Sequence, residues 1–225
     1  MQRRAVVFGV PLLASSFALA PAAYATDTQD AVDGAAKTIE HLRTDKEFGP
    51  AQGVLRSARA VLIVPSVFKA GFFFGGQGGF GVLLARTGAN SWTYPAFFTL
   101  GSASFGLQIG AQVSEFVMFI MSQRALEALM HNRVQLGANA GLAVATLGAS
   151  AGGATTTNLR ADIVVWSSST GAYAGISLEG TVIQPRTSYD RQYYGRALTT
   201  RDIIYRHQGS NPGANGLREA LSGIG

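Results

Sequence analysis

Gly148-Ala149-Ser150-Ala151-Gly152 holds a serine in the G-x-S-x-G spacing, and Asp162 or Asp190 followed by His207 supplies the order serine, acid, histidine of an α/β-hydrolase. That chemistry needs a sharp turn opening a helix behind the nucleophile. Gly153-Ala154-Thr155-Thr156-Thr157-Asn158 is a poor helix start, so a small serine hydrolase using Ser150 is only the third reading of the chain. Gly76-Gln77-Gly78-Gly79-Phe80-Gly81 has the G-x-G-x-x-G spacing of a dinucleotide loop, which needs a following helix and an acid about 20 residues on. Val82-Leu83-Leu84-Ala85 continues as a strand instead, and the next acid is Glu115, so these glycines read as bends.

The remaining reactive side chains are scattered. His41, His131 and His207 lack the close pairings of a zinc site, and no metal ligand is assigned. Glu115 and Glu179 interrupt apolar runs, where burial would raise a carboxyl pKa, but neither has a second carboxylate at a spacing that makes an acid and base pair. The residues thus point to no catalytic group and no cofactor. Arg186, Arg191, Arg196, Arg201 and Arg206 form a basic strip suited to anionic head groups, although Asp190 and Asp202 dilute it and a solvated loop explains it equally well.

The elements that must position these residues follow from composition and pattern. With 47% hydrophobic and 14% charged positions among 225 residues, the chain can bury a large core. The formal charge of +5 falls by two if Arg3 and Arg4 are removed with a leader, and lysine is confined to Lys37, Lys46 and Lys69. That is too weak and too dispersed for a nucleic-acid surface. Arg3-Arg4, the apolar stretch Ala5 to Ala20 and the small-x-small Ala23-Tyr24-Ala25 read as a signal peptide over residues 1–25, cleaved after Ala25. Arg3-Arg4-Ala5-Val6-Val7 fits either the general or the twin-arginine export route. The chain has no cysteine, which excludes a lipidated N-terminal cysteine and disulfides. Export to the periplasm or beyond is expected.

Residues 26–50 read as an N-terminal helical segment: Val32, Ala35, Ala36, Ile39 and Leu42 recur at helical spacing, and Gly49-Pro50 stops the run. A short helix over Ala51 to Ala58 comes next. Beyond it, Ala60 to Pro65, Gly71 to Arg86, Trp92 to Leu100, Phe105 to Met121, Leu142 to Leu147, Ile163 to Trp166 and Tyr173 to Ile183 are β-branched or aromatic runs divided by Gly, Ser, Asn and Thr. Gln123 to Arg133 alone looks like an inserted helix. Several runs, such as Glu115 to Met121, are apolar on both faces and predict strands covered on both sides. The fold expected is α+β and β-rich: a curved or closed, mostly antiparallel sheet with N-terminal helices and one inserted helix. Residues 51–206 form its domain, and 207–225 are set apart as a C-terminal tail.

The blocks Val54 to Pro65, Lys69 to Gly76, Ser91 to Ala96, Gly106 to Gln112, Leu136 to Asn139, Gly171 to Gly180 and Tyr193 to Gly195 resemble, in order and spacing, those of the SYLF domain family. The resemblance runs from about Gln52 to Gly195. This family is known from eukaryotic actin-patch and endocytic adaptors, where the module binds phosphoinositides and, in yeast, actin filaments; many bacteria carry exported single-domain versions. It implies a lipid-associated binding module and not an enzyme. The chain departs from the family where basic residues are common, carrying Ala145-Thr146 with Gly148-Ala149 and Ser169-Thr170 instead, so no phosphoinositide contact is implied there.

The residues themselves nominate a lipid surface. Phe68, Phe72 and Phe73 with Lys69, Arg56 and Arg59 combine aromatic rings and cations as an interface of apolar and anionic groups requires. Core packing competes for each phenylalanine. A second surface uses Tyr173 and Glu179, which alternate to one side of a strand, with Arg186 and Arg191. The leading expectation is an exported, non-enzymatic module on phospholipid or the envelope surface, with an envelope protein partner as the second.

Overall fold

Strands that are apolar on both faces need cover on both sides, and the fold supplies it. The computed structural model describes residues 23–44, 49–71, 74–105, 110–131, 133–136, 142–147, 161–170 and 180–224. In chain order these form α1 (Ala23–Thr44), α2 (Gly49–Ser57), β1 (Ala60–Gly71), β2 (Phe74–Gly88), β3 (Ser91–Trp92), β4 (Ala96–Phe105), β5 (Gly110–Ile120), α3 (Gln123–His131), β6 (Val134–Gln135), β7 (Val144–Leu147), β8 (Ile163–Thr170), β9 (Val182–Pro185), α4 (Thr187–Tyr194), α5 (Thr200–Ile204), a 3-10 turn (Pro212–Ala214) and α6 (Asn215–Ser222). The sheet runs β6-β9-β4-β2-β1-β5-β8-β7, with β3 paired to β2. Every pairing is antiparallel except β7 with β8. The fold is α+β and β-rich, with a curled sheet.

Alternation along each strand divides the core in two. Val61 and Ile63 of β1, Val82 and Leu84 of β2, Phe97 of β4 and Val117 and Phe119 of β5 pack with α1, α2, α4 and α6. Their neighbours Leu62, Val64, Leu83, Phe98, Phe116, Met118 and Ile120 pack on the other face with α3 and α5. Period-two side chains thus feed two cores from one sheet. Each fully buried Leu, Ile, Val or Phe contributes roughly 1.5–3 kcal/mol.

The curl has a local cause in β1. Its register slips against β2 between Ile63 and Ser66 and against β5 between Val64 and Val67. Pro65, which has no N–H to give a ladder, sits in this bulge. A methyl carbon added at Gly81 would fall 2.5 Å from the Ile63 carbonyl oxygen, and one at Gly79 would fall 2.7 Å from Val67. Gly79 and Gly81, two of the glycines read as bends, therefore serve close approach of β2 to the bulge. Across the sheet, Gly34 lets α1 lie against the ring of Pro65, where an added carbon would sit 3.0 Å away.

Several boundaries differ from the sequence reading. Pro50 does not end a helix; it lies in the first turn of α2, where a missing N–H costs nothing. Trp92 to Leu100 is two strands, parted at 93–95, and Phe105 to Met121 joins the end of β4 to β5. Of the run Tyr173 to Ile183, residues 171–179 lie outside the described residues, and β9 starts at Val182. Three helices follow β9 where the sequence suggested loop and tail. Residues 207–225 in particular are no loose tail: Ala214, Leu217, Leu221 and Ile224 are buried in the core with Ala31 and Ala35 of α1.

Candidate functional site

Asp162, Asp190 and Glu115, carboxylates that the sequence offers for acid and base chemistry, are built into the scaffold. Asp162, just ahead of β8, accepts from Ser122 Oγ at 2.5 Å, from Arg124 Nη2 at 2.6 Å and from the Ala143 backbone N–H at 3.0 Å. Ser122 Oγ in turn accepts from Ala125 N at 3.1 Å in the first turn of α3. One side chain thereby ties the start of α3 to the approach of β7 and the start of β8. The Ser122 hydrogen bond, followed by that of Ala143, holds the Asp162 carboxyl below its usual range.

Asp190 of α4 is completely buried. Its Oδ1 accepts the Phe97 backbone N–H at 2.9 Å, while Oδ2 finds no hydrogen-bond partner among the described residues. Desolvation pushes this carboxyl up to about 7, against the smaller opposing effect of the Phe97 hydrogen bond. Around it, α4 docks through rings: Tyr193 meets Phe97 edge-on at 5.1 Å, Tyr189 meets Phe80 at 4.6 Å, and the Tyr194 hydroxyl donates to the Pro95 carbonyl at 2.5 Å. Burial, then the neighbouring Asp190, pushes the Tyr194 hydroxyl well above its usual range.

Glu115 is equally occupied. It accepts from Thr38 Oγ1 at 2.8 Å and pairs with His41 Nδ1, whose ring stands edge-on to Trp166 at 6.1 Å. These contacts pin α1 to the middle of β5. Glu179 lies outside the described residues, as does Ser150. His207 is exposed, and among the described residues no hydrogen bond joins it to Asp162 or Asp190. The serine, acid and histidine order in the sequence therefore finds no acid and histidine pairing in the fold. Among the described residues no three His, Asp or Glu side chains gather as a metal site, and no helix is long and apolar enough to cross a membrane.

The lipid-surface candidates divide between the ends of β1. Arg56 and Arg59 are exposed where α2 meets β1, and among the described residues neither side chain is ion-paired. The Arg59 backbone is held between the Ile120 carbonyl and the Arg86 N–H, each at 2.8 Å. At about 3.3 Å per residue, β1 carries the backbone of Lys69 roughly 30 Å from Arg59. Phe68 and Lys69 stand opposite Gly78 and Gln77 of β2 and Val113 and Gln112 of β5. Phe72 and Phe73 lie outside the described residues. The backbone of Lys69 is thus well removed from Arg59 along β1.

Of the second surface, Tyr173 lies outside the described residues with Glu179, while Arg186 and Arg191 are exposed at the start and in the last turn of α4. Arg186 stacks over Tyr189 at 4.9 Å. In the rest of the basic strip Arg201 lies on α5 and donates to His131 Nε2 at 3.2 Å, while Arg196 and Arg206 lie in bends outside the helices, where Arg206 pairs with Asp202 at 2.7 Å and Arg196 donates to the Gln208 carbonyl. A positioning residue that sequence spacing did not flag is Arg86, which closes the end of α2 by donating to the Leu55 and Ala58 carbonyls while stacking over Trp92 at 4.3 Å.

Comparison with known proteins places this scaffold. The family described as Ysc84, Las17-binding protein actin regulator, matches residues 101–224, more than half of the chain. The chain belongs to the Ysc84 family. Its match reaches α6, in keeping with the packing of that helix into the core. The SYLF-type blocks of the sequence belong to the same family. Among Ysc84-type relatives, the chain is 33% identical over 162 residues to SH3 domain-containing YSC84-like protein 1 of Rattus norvegicus, covering 72% of this chain and 48% of the relative. It is 32% identical over 154 residues to SH3 domain-containing protein PJ696.02 of Schizosaccharomyces pombe, covering 67% and 36%. To Protein YSC84 of Saccharomyces cerevisiae it is 30% identical over 171 residues, covering 75% and 36%. The chain thus spans about a third to a half of the length of these curated relatives.

Proposed function

We propose that the protein is a non-enzymatic binding module that associates with an anionic phospholipid surface after export. One observation carries the reading: Asp162, Glu115 and Asp190 are spent on holding the scaffold, while Arg56 and Arg59 stand exposed and, among the described residues, without ion pairs. Unpaired arginines at a surface keep their full attraction for anionic head groups, on the order of 1 kcal/mol each. Phe68 and Lys69, toward the other end of β1, would belong to a separate aromatic and basic contact. Export rests on the leader-like residues 1–25.

The test is flotation of the chain from Thr26 onward with phosphatidylcholine vesicles and with vesicles containing phosphatidylglycerol, at low and high salt. The reading requires flotation with the anionic vesicles alone, weakened by salt and by R56Q/R59Q. Absence of flotation with either vesicle would eliminate it. Detection of the chain in the cytoplasmic fraction with its first 25 residues intact would eliminate export.

A protein partner is the second reading, favoured by the family description, Las17-binding protein actin regulator, and by the SH3 domains in relatives' names. Capture of a defined envelope protein by the lipid-free chain would select it.

A further inference from the structure

A trough of about 750 Å3 lies along the outer strands β4, β9 and β6, with Thr99, Leu100, Gly101 and Ser102 of β4 in its wall. Thr99 is the cross-strand partner of Gln184, and Val182 is the partner of Gly101 on one side and of Gln135 on the other. Side chains in such register share a face, so Thr99, Gln184 and Gln135 are presented together. Gly101 and Gly180 line the trough without side chains and leave its floor open.

Two guanidinium groups complete it. Arg133 follows α3, and Arg186 stands at the start of α4, its backbone N–H on the Phe97 carbonyl at 2.7 Å and its side chain over Tyr189. Both are exposed, and among the described residues neither is ion-paired, whereas Arg43, Arg124 and Arg206 all are. Among the described residues no aspartate or glutamate lines the trough. Thr99 Oγ1 is buried there with no hydrogen-bond partner among the described residues. Uncompensated positive charge with amide and hydroxyl side chains lines one concave surface.

We propose that this trough binds a small, soluble, phosphate-bearing ligand. A phosphate monoester carries about two negative charges and accepts hydrogen bonds on three oxygens from several directions. Two guanidiniums on different elements, with amides and hydroxyls between them, supply donors in that arrangement. The polar floor suits a hydroxylated body better than an acyl chain. The site is independent of Arg56 and Arg59, so it stands or falls apart from the membrane reading.

The experiment is calorimetric titration of the full chain with glycerol 3-phosphate, with inorganic phosphate and, as the neutral control, with glycerol. The expected result is saturable binding of the two phosphates, none of glycerol, and at least tenfold weaker binding in R133Q/R186Q. R56Q/R59Q should bind as the parent does. Neither arginine in R133Q/R186Q has an ion pair to lose, and an unchanged melting temperature certifies the fold. No binding by the parent, or equal affinity in R133Q/R186Q, overturns the proposal. So does binding confined to phosphatidylglycerol vesicles and abolished by R133Q/R186Q, which would assign the oxyanion to a lipid head group.

Discussion

Asp190 accepts the backbone N–H of Phe97 at 2.9 Å from a fully buried position, with its second oxygen unpartnered among the described residues. The carboxyl is therefore more stable protonated in the fold than in the unfolded chain, and its pKa rises from 3.8 to about 7. Between those values the native state holds a proton that the unfolded state has released. Its contribution to stability is fully present below about pH 4, falls as pH rises and is lost above pH 7, by roughly 4 kcal/mol in total. The melting temperature should fall from pH 5 to pH 8. Asp190→Asn keeps an acceptor for Phe97 and has no proton to lose, so this decline should shrink sharply in the variant. A parallel decline in both proteins would show that Asp190 is ionised in the fold.

Gly81 tests the close approach at the β1 bulge. A methyl carbon there meets the Ile63 carbonyl oxygen at 2.5 Å and Val64 at 2.8 Å. Backbone cannot rotate away as a side chain can, so Gly81→Ala should cost about 1–3 kcal/mol, the range of overpacked cores. Gly53, an exposed helical position where an added carbon meets nothing within 4 Å, is the control, and Gly53→Ala should be neutral or stabilising. Urea midpoints of the two variants decide it.

The same contrast shows what the sequence made legible. Two-sided apolar strands can be read from β5, because Phe116, Met118 and Ile120 alternate with Val117 and Phe119 and every one is buried. The period of α3 is as plain, with Ala125, Leu126, Leu129 and Met130 on one side. The region Arg186 to Arg206 was opaque because α4 buries Tyr193 and an aspartate instead of an aliphatic stripe. The partner of Asp190 is a backbone amide 93 positions away, which no local pattern reports. Arg133, Gln135, Gln184 and Arg186 are likewise gathered by the β6-β9-β4 pairing and not by spacing. Residue type groups Arg59 with Lys69, but the extended β1 runs between them.

Arg86 carries a prediction about chemistry of type, not only charge. Its planar fork donates to Leu55 O at 2.7 Å, Ala58 O at 3.1 Å and Ala89 O at 2.5 Å while covering Trp92. A lysine keeps the charge but offers one nitrogen, which cannot reach three carbonyls on separate segments. Arg86→Lys should destabilise by about 2 kcal/mol, the range for losing charge-assisted hydrogen bonds in a partly buried site. An unchanged urea midpoint would mean that solvent satisfies those carbonyls instead.

Leu217 and Leu221 of α6 test whether the C-terminal segment belongs to the domain. Both are 1% exposed and share a core with Val32, Ala35, Trp92 and Ile39. Gln29 Nε2 also reaches the Gly213 carbonyl at 3.0 Å, and Arg218 Nε donates to the Trp92 carbonyl at 3.0 Å, so the 3-10 turn is fastened to α1 and the middle of α6 to β3. Leu217→Ala should cost about 2–5 kcal/mol, as deletion of a well-packed core leucine does. Truncation before Pro212 uncovers one side of α1 altogether and should leave the chain unable to unfold cooperatively in urea, whereas an independent tail would come off with no change in midpoint. Because α1 is held to the sheet by Thr38 and His41 at Glu115 as well, the truncated chain should lose amide protection first around Gln29 to Ala35, the part of α1 nearest the lost helix, and later around His41.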